Sequence, residues 1–423
     1  MSRGPFGAST THTPTRPHRT PPHVVIVGAN FAGLTAAQHL SAAHAVTVID
    51  SSPWFEWLPN IHELLSGVKQ PATLRLPRAD LIAAAGHRFR RGRVDRIDPQ
   101  GRRIHLVGGR SLGFDACVVA VGGINETFGV PGADRHALPF KSVAECAAIG
   151  QRLAALGRRP GAVSVVIVGG GLEGVEALGE ILRRYRTRPD LHIRVIEAAS
   201  RLLPGTPPRL DAVIRRHCAP FAVRFDTATR VTRVTPTRVH LSSGEVVRAD
   251  LTIWTGGVCA PPLLVASGLA DRPQQWAAVR PTLQSRRFDH IVVVGDAAAF
   301  PKPLSKQAYY AMQMGAHAAD TVTRLLRGAT PRAFQPTAKP MLVAFGDLDT
   351  FLVADGLAVA SPSLALLKEA IFQLTMAQID RPTGRPALAR LGGRVTRALG
   401  ALVRPTVTSP SQLWRPGHLR MLR

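Results

Sequence analysis

One strand–glycine turn–helix pattern begins at Val24 and begins again at Val165, and this duplication restricts the folds open to the chain more than any other feature. The first copy reads VVIVGANFAGLTAAQHL and the second VVIVGGGLEGVEALGEIL. Each opens on a short, wholly apolar, β-branched run, the composition of a strand buried on both faces of a parallel sheet. In the first copy Gly28 permits a tight turn and Gly33 lets the following helix pack closely on the strand. Leu34, Ala37 and Leu40 then continue at helical spacing. In the second copy Gly169, Gly171 and Gly174 complete the GxGxxG pattern. A helix starting at such a turn presents unpaired N–H groups and a positive dipole end, which suit a pyrophosphate.

Each copy also has an acid at the right distance. AVTVID ends in Asp50, the first acidic residue of the chain, and LHIRVIEAA places Glu197 correspondingly. A carboxylate there accepts hydrogen bonds from a ribose 2′-hydroxyl. Glu197 favours NADH over NADPH, because a 2′-phosphate would meet a like charge; Arg201 is the nearby cation that works against this preference. Asn30 stands where the first copy lacks its middle glycine. Asparagine tolerates left-handed backbone angles, and its amide could donate to a phosphate. Glycine turns of this kind also arise from packing alone, but two copies with correctly placed acids favour two nucleotide sites.

Three later stretches follow in order: FDACVVAVGGINETFGVPG from Phe114, LTIWTGGVCAPPLL from Leu251 and HIVVVGDAAAFP from His290. With the two turns, they resemble the two-dinucleotide flavoprotein reductases of the pyridine nucleotide-disulfide reductase kind. Within these the chain is most similar to the type II NADH dehydrogenase and sulfide–quinone reductase group, over roughly residues 23 to 350. The resemblance implies an α/β fold with two Rossmann-like dinucleotide-binding domains and a C-terminal amphipathic helical segment. An FAD domain from 23 to 140 is interrupted by an NAD(P)H domain from 141 to 260 and resumes from 261 to 335. Residues 336 to 423 form the membrane- or partner-interaction segment. FAD would be held by Gly28, Asn30, Gly33 and Asp50, by Gly122 in the return turn, and by Gly295 and Asp296 in the last motif. Val121 departs from the threonine usual in that return turn. NADH would be held by Gly169, Gly171, Gly174 and Glu197, with Gly256 and Gly257 leaving room by lacking side chains.

The resemblance further implies that Glu176 lies near the nicotinamide, the plain alternative being a solvated helix charge. It puts Lys306 over the flavin's pyrimidine end or the acceptor pocket, where a cation would stabilise negative charge in a dry site. KPLSKQAYYAMQMG, from Lys302, is similar to a helix bordering a quinone pocket; Gln313 falls on one glutamine of that motif and Tyr309 replaces the other. WFEWLP, from Trp54, could wall the pocket or belong to an ordinary aromatic core.

The rest of the chain bears on the acceptor. Cys117, Cys146, Cys218 and Cys259 form no CxxC or CxxxxC pair, which disfavours a dithiol acceptor or a disulfide framework. The histidines are scattered without ligand spacing, so no metal site is expected. Formal net charge is +25, yet lysine supplies only six of the 53 cationic residues. Acids are absent before Asp50 and after Asp380, while nine arginines lie from Arg381 onward. Between Pro386 and Arg404, Leu388, Leu391, Val395, Leu399 and Leu402 share one helical face and arginines the other, as expected of a helix in a membrane interface. The alternative is a helix docked on the protein's own core. The amphipathic stretch Leu364 to Ile379 would join the same platform. RFRRGRV, from Arg88, has no interleaved stacking aromatics, so nucleic acid is not an expected partner.

Residues 1–22 are expected to be a disordered basic N-terminus without a signal-peptide core. The chain holds no long apolar run that could span a bilayer. A cytoplasmic location is expected, peripheral on the cytoplasmic face of the membrane. These readings converge on an FAD-dependent NADH dehydrogenase serving a quinone or another small electron acceptor. One rival reading passes electrons to an acidic redox protein such as a ferredoxin. Another is an NADH-responsive flavoprotein that binds nucleic acid or a protein. A homodimer stays open.

Overall fold

The computed structural model describes residues 21–354, 356–380 and 420–422. The expected N-terminal segment through residue 20 and the expected basic helix Pro386–Arg404 lie outside the described residues.

The first apolar run forms β1 (His23–Val27), buried from Val24 onward. After the turn at Gly28 come α1 (Phe31–His39) and β2 (Ala45–Asp50). Strand β3 (Arg88–Arg91) pairs with β2, and β4 (Ala116–Val119) pairs with β1. The second unit repeats this plan. A two-residue strand β5 (Leu138–Pro139) leads into α2 (Val143–Arg158), whose Ser142 side chain accepts from the Glu145 N–H and so starts the helix. Then follow β6 (Val163–Val168), α3 (Leu172–Tyr185), β7 (Leu191–Ile196), β8 (Val223–Asp226) and β9 (Leu251–Trp254). Their sheet order is β5-β9-β6-β7-β8, parallel throughout.

The chain then returns to the first sheet as β10 (Ile291–Val293), parallel to β4, giving the order β10-β4-β1-β2-β3. Helix α4 (Ala308–Leu326) follows and packs along α1. Because neighbouring strands run parallel, each is reached by a crossover and both sheet faces are covered, which explains strands apolar on both sides.

The C-terminal part forms a helix over Leu364–Ile379, as expected, and adds strands that were not expected. Strands β11 (Met341–Phe345), β12 (Asp349–Ala354) and β13 (Leu357–Ala360) form an antiparallel sheet. Helix α5 (Leu364–Ile379) follows, and β14 (Arg420–Leu422) pairs with β13. Short apolar runs such as MLVAF carry no periodicity that separates strand from buried helix. This sheet seats on α3 through two glycines: a Cβ on Gly179 would lie 2.5 Å from Gly346 N, and one on Gly346 would lie 2.2 Å from Gly179 O. That backbone contact brings β11 and α5 against the acidic face of α3.

Candidate active site

The two glycine turns are constrained alike. Gly28 and Gly169 have φ of +93° and +108°, in the left-handed region that favours glycine. A Cβ on Gly28 would sit 2.3 Å from Ala120 O, and one on Gly169 would sit 2.6 Å from Thr255 Oγ1. At Gly33 and Gly174 it would sit 1.8 and 1.9 Å from the carbonyl oxygens of Gly28 and Gly169. The acids are used alike. Asp50 accepts from the N–H groups of Ala29 and Ser52 at 2.8 and 2.9 Å, and Glu197 from those of Gly170 and Ala199 at 2.6 and 2.7 Å. Each carboxylate therefore pins its own turn.

Asn30 departs from the sequence expectation in two respects. Its φ of −90° is not left-handed, and Gly171, at the same place in the second turn, has φ of −73°. The position thus makes no conformational demand for glycine, and a Cβ on Gly171 would meet only open space. The Asn30 amide is also engaged: it donates to Glu56 O at 3.1 Å and accepts from Glu56 N at 3.0 Å, tying the turn to the strand Trp54–Glu56. Sequence reasoning missed Arg78, whose Nη1 lies 2.6 Å from Asp50 Oδ1 and which donates to Ala29 O and Ser52 O. Nothing local distinguishes it from the other arginines. In the second unit the corresponding cation is committed elsewhere: Arg201 donates to the carbonyls of Leu203, Pro204 and Thr206.

Gly122 has φ of +64° and open space beside it. Gly256 meets only ordinary contacts, whereas the side-chain space of Gly257 is filled by Phe128, whose ring would lie 2.5 Å from a Cβ there. Gly257 therefore makes room for an aromatic ring of this chain, a correction to the expectation of empty space. In the last motif Gly295 has φ of +65°. Lys306 Nζ donates to Asp296 O at 2.5 Å and to Ala298 O at 3.3 Å, and lies 4.0 Å over the Trp276 ring. Burial raises the Asp296 carboxyl pKa, with Lys306 and Lys141 opposing, and burial lowers that of Lys306.

The structure gives Gln313 a different duty from the one expected. Its amide donates to Thr337 O at 3.1 Å and accepts from Thr337 N at 2.9 Å. Tyr309 donates to Lys339 O at 3.0 Å, and His317 lies 2.9 Å from Arg332 O. One stripe of α4, at i, i+4 and i+8, thereby straps down the extended chain leading to β11. Ahead of it, Ser305, Gln307 and Tyr310 line a cleft of about 670 Å³ shared with Arg201 and Thr206. From the WFEWLP stretch, Phe55 and Trp57 are core: both meet Phe31 edge-on, and Trp57 lies 5.9 Å from Phe372 of α5.

Glu176 is no solvated helix charge. It is 6% exposed, 2.5 Å from Lys368 Nζ, 3.3 Å from His62 Nδ1, and accepts from Ala344 N at 3.2 Å. Burial raises its pKa and Lys368 opposes the rise. Burial, then Lys368, Lys69 and Arg183, hold His62 well below the usual histidine range. One side chain from the first unit, one from α3 and one from α5 thus meet in a buried site able to hold a proton. Their convergence depends on tertiary packing, and spacing in the sequence carries no sign of it. The four cysteines are free and buried, and burial pushes Cys218 up to about 12 and Cys259 up to about 11, so thiol redox chemistry is unsupported. Among the described residues no group of three His, Cys, Asp or Glu could hold a metal.

Comparison with known proteins agrees with this fold. Demethylphylloquinone reductase NdbB of Synechocystis is 27% identical over 372 residues, covering 83% of this chain and 91% of that protein. The type II NADH:quinone oxidoreductase of Staphylococcus aureus is 24% identical over 380 residues, covering 82% and 93%. Among solved structures, the sulfide:quinone oxidoreductase of Aquifex aeolicus shares the fold with a TM-score of 0.76 at 18% identity, covering 88% of this chain and 95% of that one. NDH2 of Plasmodium falciparum, solved with NADH, has a TM-score of 0.76 at 14% identity, covering 92% and 100%. The sequence profile of the pyridine nucleotide-disulphide oxidoreductases matches residues 22–315, and the chain belongs to that family.

Proposed function

We propose that this protein oxidises NADH and passes the electrons by way of FAD to a quinone at a membrane surface. The observation that carries the reading is the pair of equivalent turns, each on a parallel sheet and each pinned by its own acid. Relatives matched over most of their length are named as quinone reductases. The first turn fits FAD: Gly28 and Gly33 let it close tightly against Ala120 and its own helix, Gly122 opens beside it, and Asp296 is a half-buried carboxylate after the Gly295 turn. The second fits NADH through Gly169, Gly171, Gly174 and Glu197. A bound flavin supplies the two-electron chemistry. The chain's own residues orient both nucleotides, exclude water and handle protons.

Glu197 sets the nucleotide preference, because Arg201 is turned to its own loop and leaves the carboxylate to repel a 2′-phosphate. Glu197→Gln keeps an acceptor oxygen for the turn and removes the charge. The ratio of kcat/KM for NADH over NADPH is expected to fall about tenfold, the equivalent of one charged hydrogen bond. An unchanged ratio would remove that role.

On the acceptor side, quinone reduction consumes protons, and Glu176 with His62 and Lys368 is the buried set able to hold one. Helix α5 adds the membrane argument. It buries Glu369, Phe372 and Ile379, yet Leu367, Ile371 and Leu374 on its other side are 43%, 43% and 65% exposed. An exposed apolar helix face of this kind suits an interface with lipid, and no helix among the described residues is long and apolar enough to cross a bilayer. Replacing all three exposed residues with Glu should leave folding intact and abolish co-sedimentation with anionic vesicles. Undiminished binding would assign attachment to another part of the chain.

The decisive test is anaerobic stopped-flow absorbance. NADH should bleach the flavin, and menaquinone should restore its colour at a rate on the order of 1–10³ per second. Recovery with ferredoxin and none with menaquinone would replace the quinone with a protein acceptor.

A further inference from the structure

In the turn at 127–130 an aromatic residue stands where the backbone favours glycine. Thr127 O accepts from the Val130 N–H at 2.9 Å, and the two residues between them, Phe128 and Gly129, have φ of +53° and +68°. Turns with two successive left-handed residues are dominated by glycine, asparagine and aspartate at both places. Gly129 meets that demand. Phe128 does not, because a left-handed backbone crowds its Cβ against the following carbonyl oxygen. Burial does not compensate: Phe128 is 69% exposed, more than any other large apolar residue among the described residues. A strained backbone and an exposed ring in one residue point to a gain made elsewhere, in binding.

The turn is fastened to the end of β9. The Phe128 N–H donates to Glu126 Oε1 at 2.5 Å, the Glu126 N–H to Gly257 O at 3.4 Å, and Trp254 Nε1 to Glu126 O at 2.8 Å. Just beyond, Ile124–Asn125 pairs antiparallel with Val258–Cys259. One edge of the Phe128 ring rests on Gly257, and the rest of the ring faces solvent.

The second unit's sheet shows what would meet that ring. Its first strand, β6, has β7 on one side and β9 on the other. A dinucleotide lies across the strand ends at such a switch point. Glu197, after β7, takes the adenosine ribose, so the nicotinamide half extends over the end of β9. That end is residues 255–257. Thr255 Oγ1 donates to Val168 O at 2.9 Å, and a Cβ on Gly169 would lie 3.0 Å from Gly256 N, so the segment flanks the glycine turn directly. Phe128 stands at its far end, on Gly257.

We propose that Phe128 is the apolar wall against which the nicotinamide half of NADH packs. The proposal rests on the NADH reading of the second turn. It accounts for a ring kept in water on a strained backbone: the ring is covered only when the nucleotide arrives, and water is then excluded from the nicotinamide.

Phe128→Gly in the flavin-loaded, full-length protein is the test, since it removes the ring and relieves the backbone together. The NADH concentration that half-saturates anaerobic flavin reduction should rise about five- to tenfold. Inhibition by ADP-ribose, which carries the adenosine half and no nicotinamide, should be unchanged, and the melting temperature should not fall. Phe128→Tyr, which keeps a ring, should recover most of the NADH dependence. Wild-type NADH dependence in Phe128→Gly would overturn the proposal. So would an equal loss of ADP-ribose affinity, or a melting temperature several degrees lower, because either would give the ring a structural duty. Wild-type flavin that NADH does not bleach would instead defeat the NADH reading of the second turn, and this proposal with it.

Discussion

Protein carrying Gly33→Ala is expected to be isolated with its flavin-to-protein ratio reduced to about one tenth or less, and with NADH oxidation reduced in proportion. The added methyl would lie 1.8 Å from Gly28 O, a backbone atom fixed by the turn between β1 and α1. Relief requires moving α1 away from the strand, and overpacking of this kind costs about 1–3 kcal/mol or more. The displacement would fall where the α1 N-terminus should meet the pyrophosphate. Asn30→Gly is the informative control. The backbone there is already compatible with any residue, so this variant loses only the two hydrogen bonds to Glu56, at roughly 1 kcal/mol each. It should stay yellow and lose some thermal stability. Absorbance of the purified proteins decides the matter, and a fully flavinylated Gly33→Ala would show that the first turn is not the flavin site.

Lys368→Met should destabilise the fold by about 3–5 kcal/mol, because it leaves Glu176 buried without its cation. The sign with pH follows from the carboxyl. Burial already raises the Glu176 pKa, and losing Lys368 raises it further, so the folded protein binds the proton more tightly than the unfolded chain does. The deficit should therefore be largest at alkaline pH and shrink as the pH falls and Glu176 is neutralised. Glu176→Gln combined with Lys368→Met removes both charges and should recover much of the loss. Urea unfolding at several pH values measures this directly, and equal deficits in single and double variants would refute a coupled pair.

The sequence was most informative where function depends on neighbours along the chain. Both glycine turns, the strands before them and the acids after them are set by local spacing, and the contacts at Gly28, Gly33, Gly169 and Gly174 follow from it. Family resemblance extended that reading to the Gly295–Asp296 turn. It was less informative about side chains. Gln313 matched a motif position, but α4 turns its amide to Thr337, and Gly257 makes room for Phe128. The meeting of His62, Glu176 and Lys368, like that of Asp50 and Arg78, is created when distant segments pack, so no local pattern announces it. The C-terminal strands were hidden for another reason: uniformly apolar runs read equally well as strand or helix.

The late return of β10 to the first sheet bears on biosynthesis. Strand β4 leaves the ribosome with one parallel edge unpaired, and its neighbour begins 172 residues later, counting from Val119 to Ile291 (291 − 119). At typical translation speeds that interval lasts roughly ten to thirty seconds. Meanwhile the intervening nucleotide unit can fold to completion while the earlier one keeps an apolar edge exposed. The half proposed to hold the flavin is thus the first to be made and the last to close, and nascent-chain chaperones have their widest opportunity there.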